Sequence, residues 1–150
     1  MTPSERMDTR MKKRYYIAYG SNLNIRQMRM RCPSARIIGT SEIPDYELLF
    51  KGSRTGSYLT IEPKKGSRVP VAAWEVNAED EQALDRYEGF PTFYYKAEIF
   101  VYIMHENRPY GVPSRFYMAT CLEGYRSFGF DETYLLDAIK TSRRMSHERK

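Results

Sequence analysis

The stretch Tyr15-Tyr16-Ile17-Ala18-Tyr19-Gly20-Ser21-Asn22-Leu23-Asn24 runs aromatic and small apolar residues straight into Gly-Ser-Asn. Ile25-Arg26-Gln27-Met28-Arg29-Met30 follows as an amphipathic segment, stopped by Cys32-Pro33. The pattern predicts a strand, a tight loop and a helix. Gly20 allows backbone angles that other residues resist. Asn22 or Asn24 suits the N-cap, because its side chain can accept a bond from an unpaired helix amide. Such a loop aims several N–H groups at one point, where the positive end of the helix dipole also lies. A carboxylate or phosphate is favoured there. The plainer alternative is an ordinary strand-to-helix turn with a capping Asn, and the rest of the chain decides between them.

At 150 residues the chain is long enough for one domain with a real core. Its 41% apolar and 14% aromatic residues are a globular composition rather than a disordered one. No run of about 18 apolar residues exists, so no membrane span is expected, and the polar N-terminus does not read as a signal peptide. Cys32 and Cys121 are too few for a disulfide framework, which points to buried thiols in a reducing cytoplasm. The formal net charge of +5 raises the question of nucleic acid. Residues 1–14 hold Arg6, Arg10, Lys12, Lys13 and Arg14 against Glu5 and Asp8. Residues 141–150 hold Arg143, Arg144, Arg149 and Lys150 against Glu148. The basic excess therefore sits at the two ends, and a near-neutral middle lacks the positive face that phosphate-backbone binding requires.

The expected organisation is a disordered tail over 1–13, one domain over 14–140 and a basic polar tail over 141–150. Short strands are expected at Ala35–Thr40, Tyr46–Phe50, Tyr58–Glu62 and Arg68–Val76, with turns at Pro44-Asp45 and Pro63–Ser67 and a Gly/Ser loop over 52–57. Asn77 opens a helix that Gly89 ends, with Asp80, Ala83, Leu84 and Tyr87 on one face. Asp85 and Glu88 fall in its last turn, where the dipole disfavours anions. A local rule broken without evident gain points to function; the alternative is that both are solvated or paired with Arg. Phe93–Met104 is strongly β. Pro113-Ser114 opens another helix, with Phe116, Ala119 and Leu122 as its expected core stripe and Gly129 at its end. Asp131 caps a last helix carrying Leu135, Ala138 and Ile139 inward.

Several chemistries have no support. His105 and His147 are the only histidines, no Cys/His cluster has metal spacing, and neither a dinucleotide fingerprint nor a phosphate-binding loop is present. What remains is an anion-ready loop at 19–24, a carboxylate at a helix end and many tyrosines. That set suits acid–base work on a small substrate with its own carboxylate.

Tyr19-Gly20-Ser21-Asn22-Leu23, then Leu84-Asp85-Arg86-Tyr87-Glu88-Gly89, then Pro113-Ser114-Arg115-Phe116-Tyr117 resemble, in order and spacing, the gamma-glutamylcyclotransferase-like family. The resemblance covers about residues 14–140. It implies an α+β fold, a small mixed β-barrel with flanking α-helices. It implies cyclisation of a γ-glutamyl group to 5-oxoproline with release of an amino acid or amine, without cofactor or metal. The family's acid–base Glu falls on Glu88. Its glutamyl-binding loop falls on Tyr19, Gly20, Ser21, Asn22 and Leu23, and its substrate-contacting Tyr falls on Tyr117. Asp85 matches the motif without the acid–base role and is expected in a structural ion pair. The Gly-Ser-Leu loop of glutathione-specific relatives is absent, which favours γ-glutamyl dipeptides or γ-glutamylamines. The expected partner is thus a small γ-glutamyl molecule, with neither nucleic acid nor membrane, for a monomer or weak homodimer in the cytoplasm. Relatives have two strands joined by a turn between the equivalents of Phe93 and Met104; the twelve residues here imply a shortened or lost hairpin. The competing reading is a non-catalytic binder that keeps the γ-glutamyl pocket.

Overall fold

The computed structural model describes residues 13–97 and 99–148. The expected disordered tail over 1–13 lies outside the described residues except for Lys13. The opening stretch folds as its pattern predicts: strand β1 (Arg14–Ala18), a 3-10 turn (Ser21–Leu23) and helix α1 (Ile25–Arg31). Asn24 is the N-cap of α1, and its side chain accepts from the Gln27 amide at 3.0 Å.

The four short strands expected over 35–76 form one long antiparallel hairpin instead, β2 (Arg36–Ser53) and β3 (Gly56–Val76). Pro44-Asp45 and Pro63–Ser67 do not end strands. They face each other as one irregularity in the ladder, where Asp45 takes a φ of 60° and its carboxylate accepts from the Gly66 amide at 2.9 Å. Pro63 and Pro70 are tolerated in β3 because β1 pairs only with Ala72–Val76, leaving the earlier part of β3 without that neighbour. Helix α2 (Ala78–Glu88) follows, with a capping box between Asn77 and Asp80 and Gly89 at a φ of 67° as its C-cap. Then come β4 (Tyr94–Lys96) and β5 (Tyr102–Met104), an antiparallel hairpin with three residues on each strand. The hairpin expected to be shortened or lost is therefore present, with three paired residues on each strand. Helices α3 (Arg115–Phe128) and α4 (Thr133–Glu148) complete the fold.

The class is α+β, as the sequence predicts, with sheet order β1-β3-β2 and a separate β4-β5 ribbon. The two sheets curl around one core without closing into a continuous barrel. Among the described residues no ladder joins the sheets, and bonds such as Ile17 N–H to the Phe100 carbonyl at 2.8 Å cross the seam, because β4 and β5 are too short to extend the pairing. Tyr16, Phe50, Leu59, Ile61, Trp74, Leu84, Tyr125 and Leu135 are among the buried core.

Two expectations about the helices are corrected. Of the expected core stripe of α3, only Leu122 packs against the core: Phe116 is 77% exposed and Ala119 is exposed, and the buried residues are Thr120, Cys121, Gly124 and Tyr125. Thr120, Cys121 and Gly124 keep the inner face low where α3 lies hard against the 21–24 turn, and Tyr125 fills the core beside them. A Cβ on Gly124 would come within 2.6 Å of the Leu23 carbonyl carbon. Nor is the chain a polar tail from Thr141. α4 continues to Glu148, and buried Ser142 accepts the Phe50 amide at 2.8 Å, capping the outer edge of β2. Among the described residues no helix is long and apolar enough to cross a membrane.

Candidate active site

The 3-10 turn after β1 closes on itself: the Leu23 amide donates to the Gly20 carbonyl and the Asn24 amide to the Ser21 carbonyl, both at 2.9 Å. The amides of Gly20, Ser21 and Asn22 are left outside this bonding, as at any helix start. Gly20 keeps a negative φ of −127°, so a left-handed conformation is not what it supplies. A Cβ there would stand 3.4 Å from both the Leu59 side chain and the Tyr117 hydroxyl, ordinary van der Waals contact, so close approach does not demand glycine either.

Gly20, Ser21 and Asn22 line a small inner cavity of about 20 Å³ together with Tyr19, Glu88 and Tyr117. Ser21, Glu88, Tyr94 and Tyr117 also line an outer pocket of about 380 Å³, walled by Ser53, Thr55, Tyr58, Arg86 and Phe93. The two spaces share these residues, so the inner cavity is the floor of the outer pocket. The structure thus gathers Tyr19, Gly20, Ser21, Asn22, Glu88 and Tyr117 from segments far apart in sequence. Leu23 is different. It is fully buried, its amide is used within the turn, and it supports the loop from beneath α3.

Glu88 is the last residue of α2, at the negative end of its dipole. The residue as a whole is half-buried, but its carboxylate faces the inner cavity. Burial pushes its pKa up to about 8, and the Arg31 guanidinium acts in the opposite direction. Asn22 Nδ2 donates to Glu88 Oε1 at 3.1 Å and to the Tyr16 hydroxyl at 2.9 Å. Arg31 Nη1 donates to Asn22 Oδ1 at 2.6 Å, and its guanidinium lies 3.5 Å over the Tyr87 ring. Tyr87 in turn holds Ser21, hydroxyl to Oγ, at 2.8 Å.

The surrounding phenols are neutral. Burial raises the pKa of Tyr16, Tyr19, Tyr94 and Tyr117 well above the ordinary value, and the Glu88 charge adds to the effect at each. Tyr19 donates to the Tyr102 carbonyl at 2.6 Å, and Tyr94 donates to the Leu59 carbonyl at 2.7 Å. Tyr117, on the first turn of α3, accepts the Leu59 amide at 3.2 Å. Asp85 is in the ion pair expected of it, 2.8 Å from Lys96 Nζ, and accepts from the Tyr102 hydroxyl at 2.6 Å. It points away from the cavity, towards β4 and β5.

Other nucleophile or metal chemistry finds little to use. Cys32 and Cys121 are free and buried, and burial pushes both thiols up to about 12, so neither is a thiolate near neutral pH. His105 sits against the Pro91 carbonyl at 2.9 Å, outside both pockets. Among the described residues no three His, Cys, Asp or Glu gather as a metal site. Arg31 was not anticipated from the sequence. An arginine in the last turn of a helix reads as a dipole partner, and only the fold brings it over Tyr87 and Asn22.

Residues 16–131 match the family model described as gamma-glutamyl cyclotransferase, AIG2-like. A gamma-glutamylcyclotransferase from Bos taurus is 35% identical over 81 residues, covering 49% of this chain and 43% of that protein, so the match spans less than half of the relative's length. The crystal structure of an uncharacterised Homo sapiens protein is similar with a TM-score of 0.75 at 26% identity, covering 84% of this chain and 86% of the other. A solved gamma-glutamyl cyclotransferase gives a TM-score of 0.73 at 24% identity, over 85% of this chain and 86% of that one, which shows a shared fold.

Proposed function

This chain belongs to the gamma-glutamyl cyclotransferase, AIG2-like family, and from that premise we propose that it cyclises the γ-glutamyl group of small γ-glutamyl compounds to 5-oxoproline, releasing an amino acid or amine. The observation that carries the reading is Glu88: a carboxylate with its pKa raised to about 8, on a small cavity that Gly20, Ser21 and Asn22 also line. In this reading those amides hold the substrate α-carboxylate, and Tyr117 contacts the substrate opposite them. Glu88 accepts a proton from the substrate α-ammonium. The freed amine attacks the γ-carbonyl carbon, a ring C–N bond forms, and the amide C–N bond to the leaving group breaks as Glu88 returns the proton to the leaving nitrogen; the ring nitrogen gives up its second proton as the lactam forms, and the released amine takes it up to leave as an ammonium. No net oxidation occurs and no further reactant enters.

The energetics are suited to this division of labour. Nucleophile and electrophile lie in one molecule, so orientation alone can supply up to roughly 7–11 kcal/mol of the barrier. The remaining need is for a base near neutrality, typically a contribution of about 10²–10⁴. A group of pKa about 8 is ionised in roughly a tenth of molecules at pH 7, so activity should rise with pH towards 8. A non-catalytic binder of the same ligand would gain nothing from placing an anion at the negative end of a helix dipole and burying it.

The outer pocket is where the leaving group would lie. Arg86 on its wall has no ion pair or hydrogen bond from its guanidinium among the described residues. That favours γ-glutamyl amino acids, whose leaving group keeps a carboxylate, over γ-glutamylamines. A panel of γ-glutamyl amino acids and γ-glutamylamines, followed by mass-spectrometric detection of 5-oxoproline, tests the reading. Release from at least one member is expected, and binding without release from any would favour the non-catalytic alternative.

A further inference from the structure

We propose that Arg31 is a positioning residue for this reaction: it fixes the orientation of the Asn22 side-chain amide, makes Asn22 a donor to Glu88 Oε1, and so leaves Oε2 as the oxygen that exchanges the proton. The proposal rests on reading Glu88 as the base.

A guanidinium has donors and no acceptor, so the Asn22 atom that meets it must be the carbonyl oxygen. Arg31 Nη1 reaches Asn22 Oδ1 at 2.6 Å, and Nη2 reaches Gln27 Oε1 at 2.6 Å. The planar group also rests on the Tyr87 ring at 3.5 Å. Two directed bonds and one stacked face hold it in a single pose. With Oδ1 committed, both hydrogens of Nδ2 point the other way, one to the Tyr16 hydroxyl and one to Glu88 Oε1. A flipped amide would set oxygen against carboxylate and N–H against guanidinium, two like-with-like contacts at once. Glu88 Oε2 has no hydrogen bond among the described residues, which leaves it as the oxygen unoccupied by a protein donor. Arg31 lines neither the inner cavity nor the outer pocket and therefore acts through Asn22.

The same guanidinium is the cation whose charge opposes burial at Glu88. The other titratable groups acting around that carboxylate are phenols: Tyr16 on β1, Tyr19 beyond its end, Tyr94 on β4, Tyr102 on β5, Tyr117 on α3 and neighbouring Tyr87. None of them can replace the positive charge. Arg86 lies out on the pocket wall.

The test compares wild type, Arg31→Met and Arg31→Lys by two measurements: the 13C-detected NMR titration of the Glu88 carboxyl, and kcat/KM for 5-oxoproline formation against pH. In Arg31→Met the Glu88 midpoint should move to higher pH, and kcat/KM at pH 7 should fall by about ten- to a hundredfold, the scale of a misplaced catalytic group. Arg31→Lys keeps a charge without the two-pronged donor. Its midpoint should stay near wild type while kcat/KM still falls by about tenfold. An unmoved midpoint in folded Arg31→Met overturns the role of Arg31. Should that variant not fold, wild-type kcat/KM in Arg31→Lys overturns it equally. A wild-type protein that releases no 5-oxoproline would sink the cyclotransferase reading, while the NMR midpoint still decides whether Arg31 governs Glu88.

Discussion

Glu88, Asp85 and Tyr117 show how neighbouring polar residues are given different tasks by what surrounds them. Asp85 meets Lys96 and the Tyr102 hydroxyl and is held as an anion partner in a structural cluster. Glu88, one turn on, has Asn22 as its hydrogen-bond donor and the floor of the pocket before it. Asp85→Asn should therefore lower the melting temperature with little change in kcat once folded; a large loss of kcat at unchanged stability would reverse the two assignments. Tyr117 serves both structure and site, since its hydroxyl accepts the Leu59 amide at the pocket floor. Tyr117→Phe leaves that amide unpaired and should cost about 1–3 kcal/mol in stability. It should also reduce kcat/KM, and an unchanged kcat/KM in the folded variant would remove Tyr117 from the substrate's contacts. The roles of Asp85 and Glu88 were separable in the sequence only through the motif they share; charge and position alone left both open.

Helix α3 places the candidate site through its smallest residue. Gly124 lets the helix lie against Leu23 and Asn24, which sets the turn carrying Gly20, Ser21 and Asn22. Gly124→Ala should destabilise the protein by about 1–3 kcal/mol and weaken activity by displacing that turn. A stable variant with full activity would show that the helix has slack. The periodicity of α3 pointed to Phe116, Ala119 and Leu122 because it ranks residues by apolarity. Where α3 meets the turn, the inner face is chosen by closeness of approach, and Gly and Thr score poorly on an apolar scale. The same blindness hid the last two turns of α4. The stretch after Thr141 looks like a solvated tail because its residues are polar, yet Ser142 is buried to satisfy the Phe50 amide. Ser142→Ala should cost about 1–3 kcal/mol by leaving that amide unpaired, read as a lower denaturation midpoint. By contrast, the β1–turn–α1 unit and the capped α2 were legible from the sequence, because Asn caps, Gly C-caps and abrupt polarity changes are local signals. The long β2–β3 hairpin was not, since whether a proline ends a strand depends on what pairs beside it.

Across the whole molecule, the site sits where the curled sheets, the end of α2 and the start of α3 converge, and the carboxylate it houses weighs on stability. The folded-state pKa of Glu88, about 8, lies above its ordinary value of 4.5. Its contribution to stability is therefore complete below about pH 4.5 and lost as pH rises through about 8. Glu88→Gln should melt close to wild type at pH 4.5 and several degrees higher at pH 9. A pH-independent difference between the two would mean that the carboxylate is not buried as described. The most direct test of the central claim is kcat/KM for 5-oxoproline formation by purified, folded Glu88→Gln beside wild type at pH 8, on the best substrate of the panel. The account predicts a fall of roughly 10²–10⁴, and a near wild-type rate would contradict it.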